Sequence, residues 1–221
     1  MTYRVVPFSP AIQRQMTADQ LGILEKLNRE DLVHLARSTS VIVPDVWSEN
    51  ELDYSPLPLT WAWAVPQAKL IVVHQPAQVF GAYEAGRLVR WGPISSGREI
   101  TPTPAGFFHL TWRSKSRRST DNREWILKWY FNFVNERGVS FHQFELPGRP
   151  ASHACVRLLD RDAKWVYDWG EQWELAEDKH HVAREGSAVL VIGTYDFKQP
   201  PPWLSLDWWR QGIVLPEDPL R

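Results

Sequence analysis

Apolar positions change rhythm along the chain. Thr17 to Leu27 carries them at helical spacing behind Thr17 and Gln20, a capping-box pair that predicts a first short helix. A second helix is expected from Asn28, with Leu32, Val33, Leu35 and Ala36 on the same period, and Val41 to Pro44 reads as a brief extended piece. Glu49 to Pro58 is polar and proline-bearing, which suits a linker or crossing strap. From Lys69 the rhythm shortens. KLIVVHQ, AQVFGAY and RLVRW are β-branched or aromatic runs, with a reversal expected at Tyr83 to Gly86. Gly106 to Trp112 and Ala188 to Ile192 add strands, whereas the mixed aromatic spacing of Asp121 to Asn135 reads as a helix candidate. KQPPPW forces an extended course, and the tryptophan-bearing tail after it is expected to pack back on the surface. Three parts follow: a helical accessory segment and linker over 1–60, a β domain over 61–197, and a Pro/Trp-rich tail over 198–221. No internal repeat is visible.

Composition narrows this picture. A chain of 221 residues suits one catalytic-size domain plus an accessory segment, and a net charge of -1 gives no field toward nucleic acid or anionic membrane. The 13 tryptophans suit both a core and a groove for peptides or sugars. Cys155 is alone, so no intramolecular disulfide forms. MTYRVVPFSP lacks the apolar run of roughly 7 to 15 residues of a secretory leader, and no stretch of about 18 apolar residues follows.

The stretch SHACVRLLD draws attention to that lone thiol. Cysteine attacks as thiolate, so a nucleophilic one needs a base or cation beside it. His153 and Arg157 flank Cys155, and His142 lies 13 residues upstream at the end of the strand-like GVSFH. If Gln143 to Ala151 is a loop, His142 and Cys155 come side by side within about 3 to 4 Å. The competing reading is a small buried hydrophobe, the common fate of a lone cysteine.

Other constellations carry less. His74, His109, His180 and His181 show no HExxH spacing and define no metal site. TWRSKSRRSTDN, with Arg113, Lys115, Arg117 and Arg118, is either a solvated loop or a lid whose cations meet carboxylates while Trp112, Trp125 and Trp129 bound a groove. Trp165, Trp169 and Trp173 make one stripe at helical period, expected to pack on the sheet. Ser95, Ser96, Gly97, Thr101 and Thr103 lack a GxSxG turn and read as turn and edge-strand chemistry.

FHQFELPGRPASHACVRL resembles the signature of YkuD-type L,D-transpeptidases, in which a histidine precedes a Ser-His-Gly-Cys-x-Arg motif. RLVRWGPISSGREITPTPAGFF and SAVLVIGTYDF are similar to that family's flanking strands, so the resemblance covers roughly Ala68 to Phe197. EKLNREDLVHLARSTSVIVP bears a fainter resemblance to the wall-binding LysM pattern. The resemblance implies a mainly β, sandwich-like catalytic domain that needs no cofactor or metal. It implies a peptidoglycan stem peptide as substrate, with no nucleic acid partner, and it assigns no oligomeric state. It casts Cys155 as nucleophile, His142 as general acid and base, and the Ala154 and Cys155 amides as oxyanion donors. His153 and Ser152 would shape the turn, and Arg157 would hold the loop or a substrate carboxylate. Water as acceptor would make the enzyme an L,D-carboxypeptidase; loss of turnover would leave a wall-binding module. An unreactive thiol at pH 7 is taken as the mark of that module. A periplasmic or envelope location is implied, and this chain is then expected to be a mature or trimmed form with Met1 added. Two positions depart from the pattern: Ala154 replaces the usual glycine, at a cost of about 1 kcal/mol if φ is positive, and Gln143 follows His142, leaving that imidazole's orienting partner open.

Overall fold

The computed structural model describes residues 1–220. The chain runs β1 (Tyr3–Pro7), α1 (Pro10–Gln13), α2 (Ala18–Asn28), α3 (Leu32–Leu35) and β2 (Ser40–Pro44), with β1 and β2 paired antiparallel. The capping box at Thr17 and Gln20 forms, each side chain accepting the other's backbone amide at 3.2 and 3.0 Å. The second helix does not continue from Asn28. Arg29 turns left-handed at φ 61°, and α3 starts afresh behind Asp31, whose carboxylate accepts the His34 amide. Phe8, Leu24, Leu35, Val41 and Val43 form a small core inside this unit.

A strap then crosses to the main sheet, fixed by Trp91 Nε1 donating to the Glu51 carbonyl and Tyr83 Oη donating to that of Pro58, both at 2.8 Å. The sheet is built from β3 (Lys69–His74), β4 (Val79–Glu84), β5 (Arg87–Ser95), β6 (Gly106–His109), β7 (Arg113–Arg118), β8 (Ile126–Val134), β9 (Val139–Gln143) and β10 (Val156–Leu158). After α4 (Asp160–Trp169) and a hairpin of β11 (Glu174–Leu175) and β12 (Val182–Arg184), β13 (Ala188–Ile192) inserts next to β3. The order is β6-β13-β3-β4-β5-β10-β9-β8-β7, mostly antiparallel, with β13–β3 and β10–β9 parallel.

Central strands bury both faces. Leu70 and Val72 of β3 enter one core with Tyr83, Trp91, Leu190 and Trp203, whereas Ile71 and Val73 enter the other with Phe131, Phe141, Val156 and Val166. The sheet curls so that β8, β9, β10 and α4 close over the second core, giving the mainly β, sandwich-like architecture expected. The tail supplies α5 (Leu206–Gln211), and Trp203 and Trp209 are buried in the first core.

Three expectations are corrected. Asp121 to Asn135 holds strand β8, because cross-strand burial of Tyr130, Phe131 and Phe133 decides over the mixed aromatic spacing. Strand β6 ends at His109, before Trp112. Trp165 and Trp169 stack at 5.0 Å on α4, but Trp173 lies beyond the end of that helix.

Candidate active site

Strands β9 and β10 run parallel with Phe141 beside Val156 and His142 beside Arg157. Side chains alternate on a strand, so Phe141, Val156 and Leu158 fall in the core, while Ser140, His142 and Phe144 share the other face with Cys155 and Arg157. His142, Phe144, Cys155 and Arg157 line one surface pocket, together with Ser152, His153, Ser119, Asp121, Trp125 and Leu127. The sequence-predicted pair thus meets at one opening.

Cys155 Sγ lies 3.4 Å from Ser140 Oγ and 3.7 Å from the Gly138 carbonyl. Burial pushes the thiol above its ordinary pKa, and Asp121 adds to that, while the Ser140 contacts and the Arg157 charge oppose it. His142 is 4% exposed, and its Nδ1 lies 3.0 Å from the Gln143 carbonyl. A carbonyl only accepts, so Nδ1 carries the proton and Nε2 is left as a lone-pair base. Burial pulls this imidazole down to about 4; the Gln143 carbonyl opposes that, and the Arg157 charge reinforces it. The site rests as neutral imidazole and neutral thiol. Among the described residues no hydrogen bond joins Sγ to the His142 ring, so the two are neighbours across a pocket, not a preformed bonded pair.

The orienting partner left open in the sequence is therefore a backbone carbonyl. Ser152 is 3% exposed, its amide donating to the Ser96 carbonyl at 3.0 Å. Ala154 adopts φ 85°, the left-handed conformation for which glycine is the unstrained residue. Arg157 packs its guanidinium 4.6 Å from the Phe144 ring and donates to the Glu145 carbonyl at 3.4 Å, which holds the loop after β9. His153 faces outward, Nδ1 being 3.1 Å from Asp121 Oδ2 and its ring 5.6 Å from Trp125. The turn between β7 and β8 is thereby brought beside the thiol, and the open pocket they share has a free volume of about 30 Å³, space for one or two waters.

The groove expected from three tryptophans is corrected for two of them. Trp125 lines the pocket, but Trp112 and Trp129 do not. A register break between Lys128 and Phe131 turns Trp129, at φ 56°, onto α4, where Nε1 donates to Asp160 Oδ1 and Lys164 sits 5.4 Å from its ring. Trp112 packs on Tyr130 and donates to Asn135 Oδ1 at 3.0 Å. Two of the four cations expected of a lid are likewise engaged elsewhere: Arg113 donates to the carbonyls of Tyr167 and Gly170, and Arg117 covers Trp112 and Tyr130. Ser140, Phe144 and Asp121 are site residues the sequence reading passed over. Counting by twos from His142 along the strand marks the first two; nothing local marks Asp121.

Elsewhere, His74 Nδ1 accepts the Ala77 amide, His109 lies 3.7 Å from Glu185, and His181 pairs with Asp178. Among the described residues no three His, Cys, Asp or Glu side chains gather as a metal site, and no helix is long and apolar enough to cross a membrane.

Comparison with known proteins agrees with the resemblance seen in the motif. The family model described as the L,D-transpeptidase catalytic domain, YkuD, matches residues 68–191. Among solved structures, an L,D-transpeptidase from Stackebrandtia nassauensis is 21% identical with a TM-score of 0.47, over 58% of this chain and 57% of that one. One from Mycobacterium smegmatis is 19% identical, TM-score 0.45, over 57% and 59%, and one from Mycobacterium tuberculosis H37Rv is 22% identical, TM-score 0.45, over 57% and 58%. The chain thus spans less than two thirds of the length of these structures. No curated protein matches it.

Proposed function

The chain belongs to the YkuD family of L,D-transpeptidase catalytic domains, and from that membership we propose that it is a cysteine acyltransferase acting on peptidoglycan stem peptides. The observation that carries the reading is the shared pocket of Cys155 and His142, with His142 Nδ1 held by the Gln143 carbonyl. Its Nε2 takes the thiol proton as Sγ attacks the carbonyl carbon between the third stem residue and D-alanine. The tetrahedral intermediate collapses to a thioester, and the same proton goes to the departing amine of D-alanine. An incoming amine then attacks the thioester, gives its proton to Nε2, and releases the thiol. General-base activation suits a site whose neutral pair is the resting state. The pocket is open to the surface but narrow, and the 119–125 turn that lines it is proposed to shift as a peptide enters.

Such a substrate lies outside the cytoplasm, and the protein is proposed to work in the cell envelope. The 1–44 unit, with its own small core, is proposed as the module that contacts the wall. Incubation with a defined tetrapeptide stem and an amine acceptor tests the reading by product mass. Free D-alanine, a thioester adduct on Cys155 and a joined product are expected, with none from Cys155→Ala. Release of D-alanine with a tripeptide alone would make water the acceptor, and no adduct at all would sink the acyl-transfer reading.

A further inference from the structure

The loop over residues 96–103 grips one side of the nucleophile turn through its hydroxyls and backbone. Thr103 is 2% exposed. Its Oγ1 donates to the Ala154 carbonyl at 2.8 Å and accepts the Gly97 amide at 2.8 Å, so both its hydrogen-bonding roles are committed. Thr101 Oγ1 and the Arg98 amide both donate to the Ser152 carbonyl, at 3.2 and 2.9 Å. The approach is close enough that a Cβ on Gly97 would stand 2.2 Å from the Thr101 carbonyl oxygen.

This grip fixes more than the carbonyls. The Ala154–Cys155 peptide is trans, so the Ala154 carbonyl and the Cys155 amide lie in one plane and point in opposite directions. Thr103 is buried and is not part of the pocket lining, whereas Cys155 is. A carbonyl held toward Thr103 therefore turns the Cys155 N–H toward the pocket side. The need for a grip is local: this peptide unit turns about ψ of Ala154 and φ of Cys155, single bonds that the planar trans peptide itself does not lock.

Resting on the acyl-transfer reading, we propose that Thr103 is a positioning residue that presets the Cys155 amide as oxyanion donor. Thr103 touches neither sulfur nor substrate in this role. It selects one orientation of the peptide unit that carries the Cys155 amide.

Two rates measured on one variant test it: thioester formation with the tetrapeptide stem, which develops an oxyanion, and alkylation by iodoacetamide, which displaces iodide at a saturated carbon and develops none. Thr103→Val is expected to slow thioester formation about 100-fold, the order of losing one oxyanion donor, with alkylation within about twofold of wild type on the same scale. Thr103→Ser restores thioester formation. Equal thioester rates in Thr103→Val and wild type, or parallel loss of both rates, overturn the role. If Thr103→Val fails to fold, the ratio is read in Ala154→Gly/Thr103→Val against Ala154→Gly, where glycine removes the strain. Wild-type protein that forms no thioester overturns the transferase reading and this role with it; a competent wild type with an unaffected valine variant overturns the role alone.

Discussion

Arg29 and Ala154 occupy the same left-handed backbone region, at φ 61° and 85°, and the molecule uses the two strained positions in opposite ways. At Arg29 the side chain carries the purpose. Fully buried, it caps the end of α2 by donating to the carbonyls of Lys26 and Leu27, reaches the Ala77 carbonyl at 3.1 Å, and lies 5.2 to 5.8 Å from the rings of Trp91, Trp203, Trp208 and Trp209. N-terminal unit, sheet and tail meet on this one guanidinium. At Ala154 the side chain is a methyl, and the backbone carries the purpose by placing the next residue, Cys155, at the mouth of a pocket. One region turns its guanidinium inward, with Nε and Nη1 on carbonyls and Nη2 buried without a hydrogen-bond partner; the other leaves Nε2 and Sγ for a substrate. Buried polarity therefore marks function here only where a lone pair faces an opening.

The largest effect separating the regions is expected at His142. His142→Ala should slow thioester formation by about 10²- to 10⁴-fold, the usual weight of general acid–base catalysis, while circular dichroism still reports a folded β protein. A loss under about fivefold, on that same scale, would remove the imidazole from the chemistry. Arg29→Gly is expected to do the reverse. It removes a large side chain from a cage of indoles and leaves the Ala77 carbonyl without its partner, a loss of about 2 to 5 kcal/mol in unfolding free energy. Thioester formation per folded molecule should stay at the wild-type rate. Denaturant unfolding with active-site titration checks both halves, and a stable but inactive Arg29→Gly protein would show that the two regions are coupled.

How far the sequence foretold each region follows from the range of the interactions involved. That Cys155, His142, Ser152 and Arg157 share one pocket was legible, because they lie in a compact motif and parallel pairing of β9 with β10 brings together residues 13 apart. The Thr17 and Gln20 capping box was legible for the same local reason. The Arg29 cage was not. Its indoles come from positions 91, 203, 208 and 209, and no window of sequence contains both the cation and its rings. Trp112 and Trp129 do not bound the groove because composition gives no direction: a register break on β8 turns Trp129 onto α4, and packing on Tyr130 holds Trp112 away. The partner of His142 is a carbonyl, which every residue supplies, so side-chain identity was silent on it.

The titration of His142 probes the difference next. Its folded pKa of about 4 lies below the ordinary 6.5, so the neutral base persists through pH 5 and the acid limb of thioester formation is expected near pH 4 to 5. A limb at the ordinary histidine value would contradict the burial that shifts it. The sign for stability is the same. Protons bind the unfolded chain first, so the contribution is intact above 6.5 and is lost as pH falls to about 4, a change of about 3 kcal/mol by urea unfolding. The raised thiol also changes what alkylation means. Cys155 should react with iodoacetamide at pH 7 more slowly than free cysteine even in a competent enzyme. Inertness toward alkylation is thus no sign of a lost activity, contrary to the simpler expectation from the motif.

The smallest effect is the most direct comparison, because the same substitution is made at both strained positions. Ala154→Gly relieves a left-handed φ that disfavours alanine by about 1 to 2 kcal/mol, against roughly 0.5 to 1 kcal/mol of extra chain entropy lost on folding. The net expectation is a gain of about 0.5 to 1 kcal/mol in unfolding free energy. Thioester formation should remain within about threefold of wild type, well short of the loss of an oxyanion donor, because Thr103 still holds the Ala154 carbonyl. Glycine at position 29 relieves a similar φ and yet destabilises, since there the side chain is what the strain supports. If both glycine variants gain stability, backbone strain outweighs side-chain partnership at Arg29. The buried guanidinium would then be a passenger at the junction it is taken to hold.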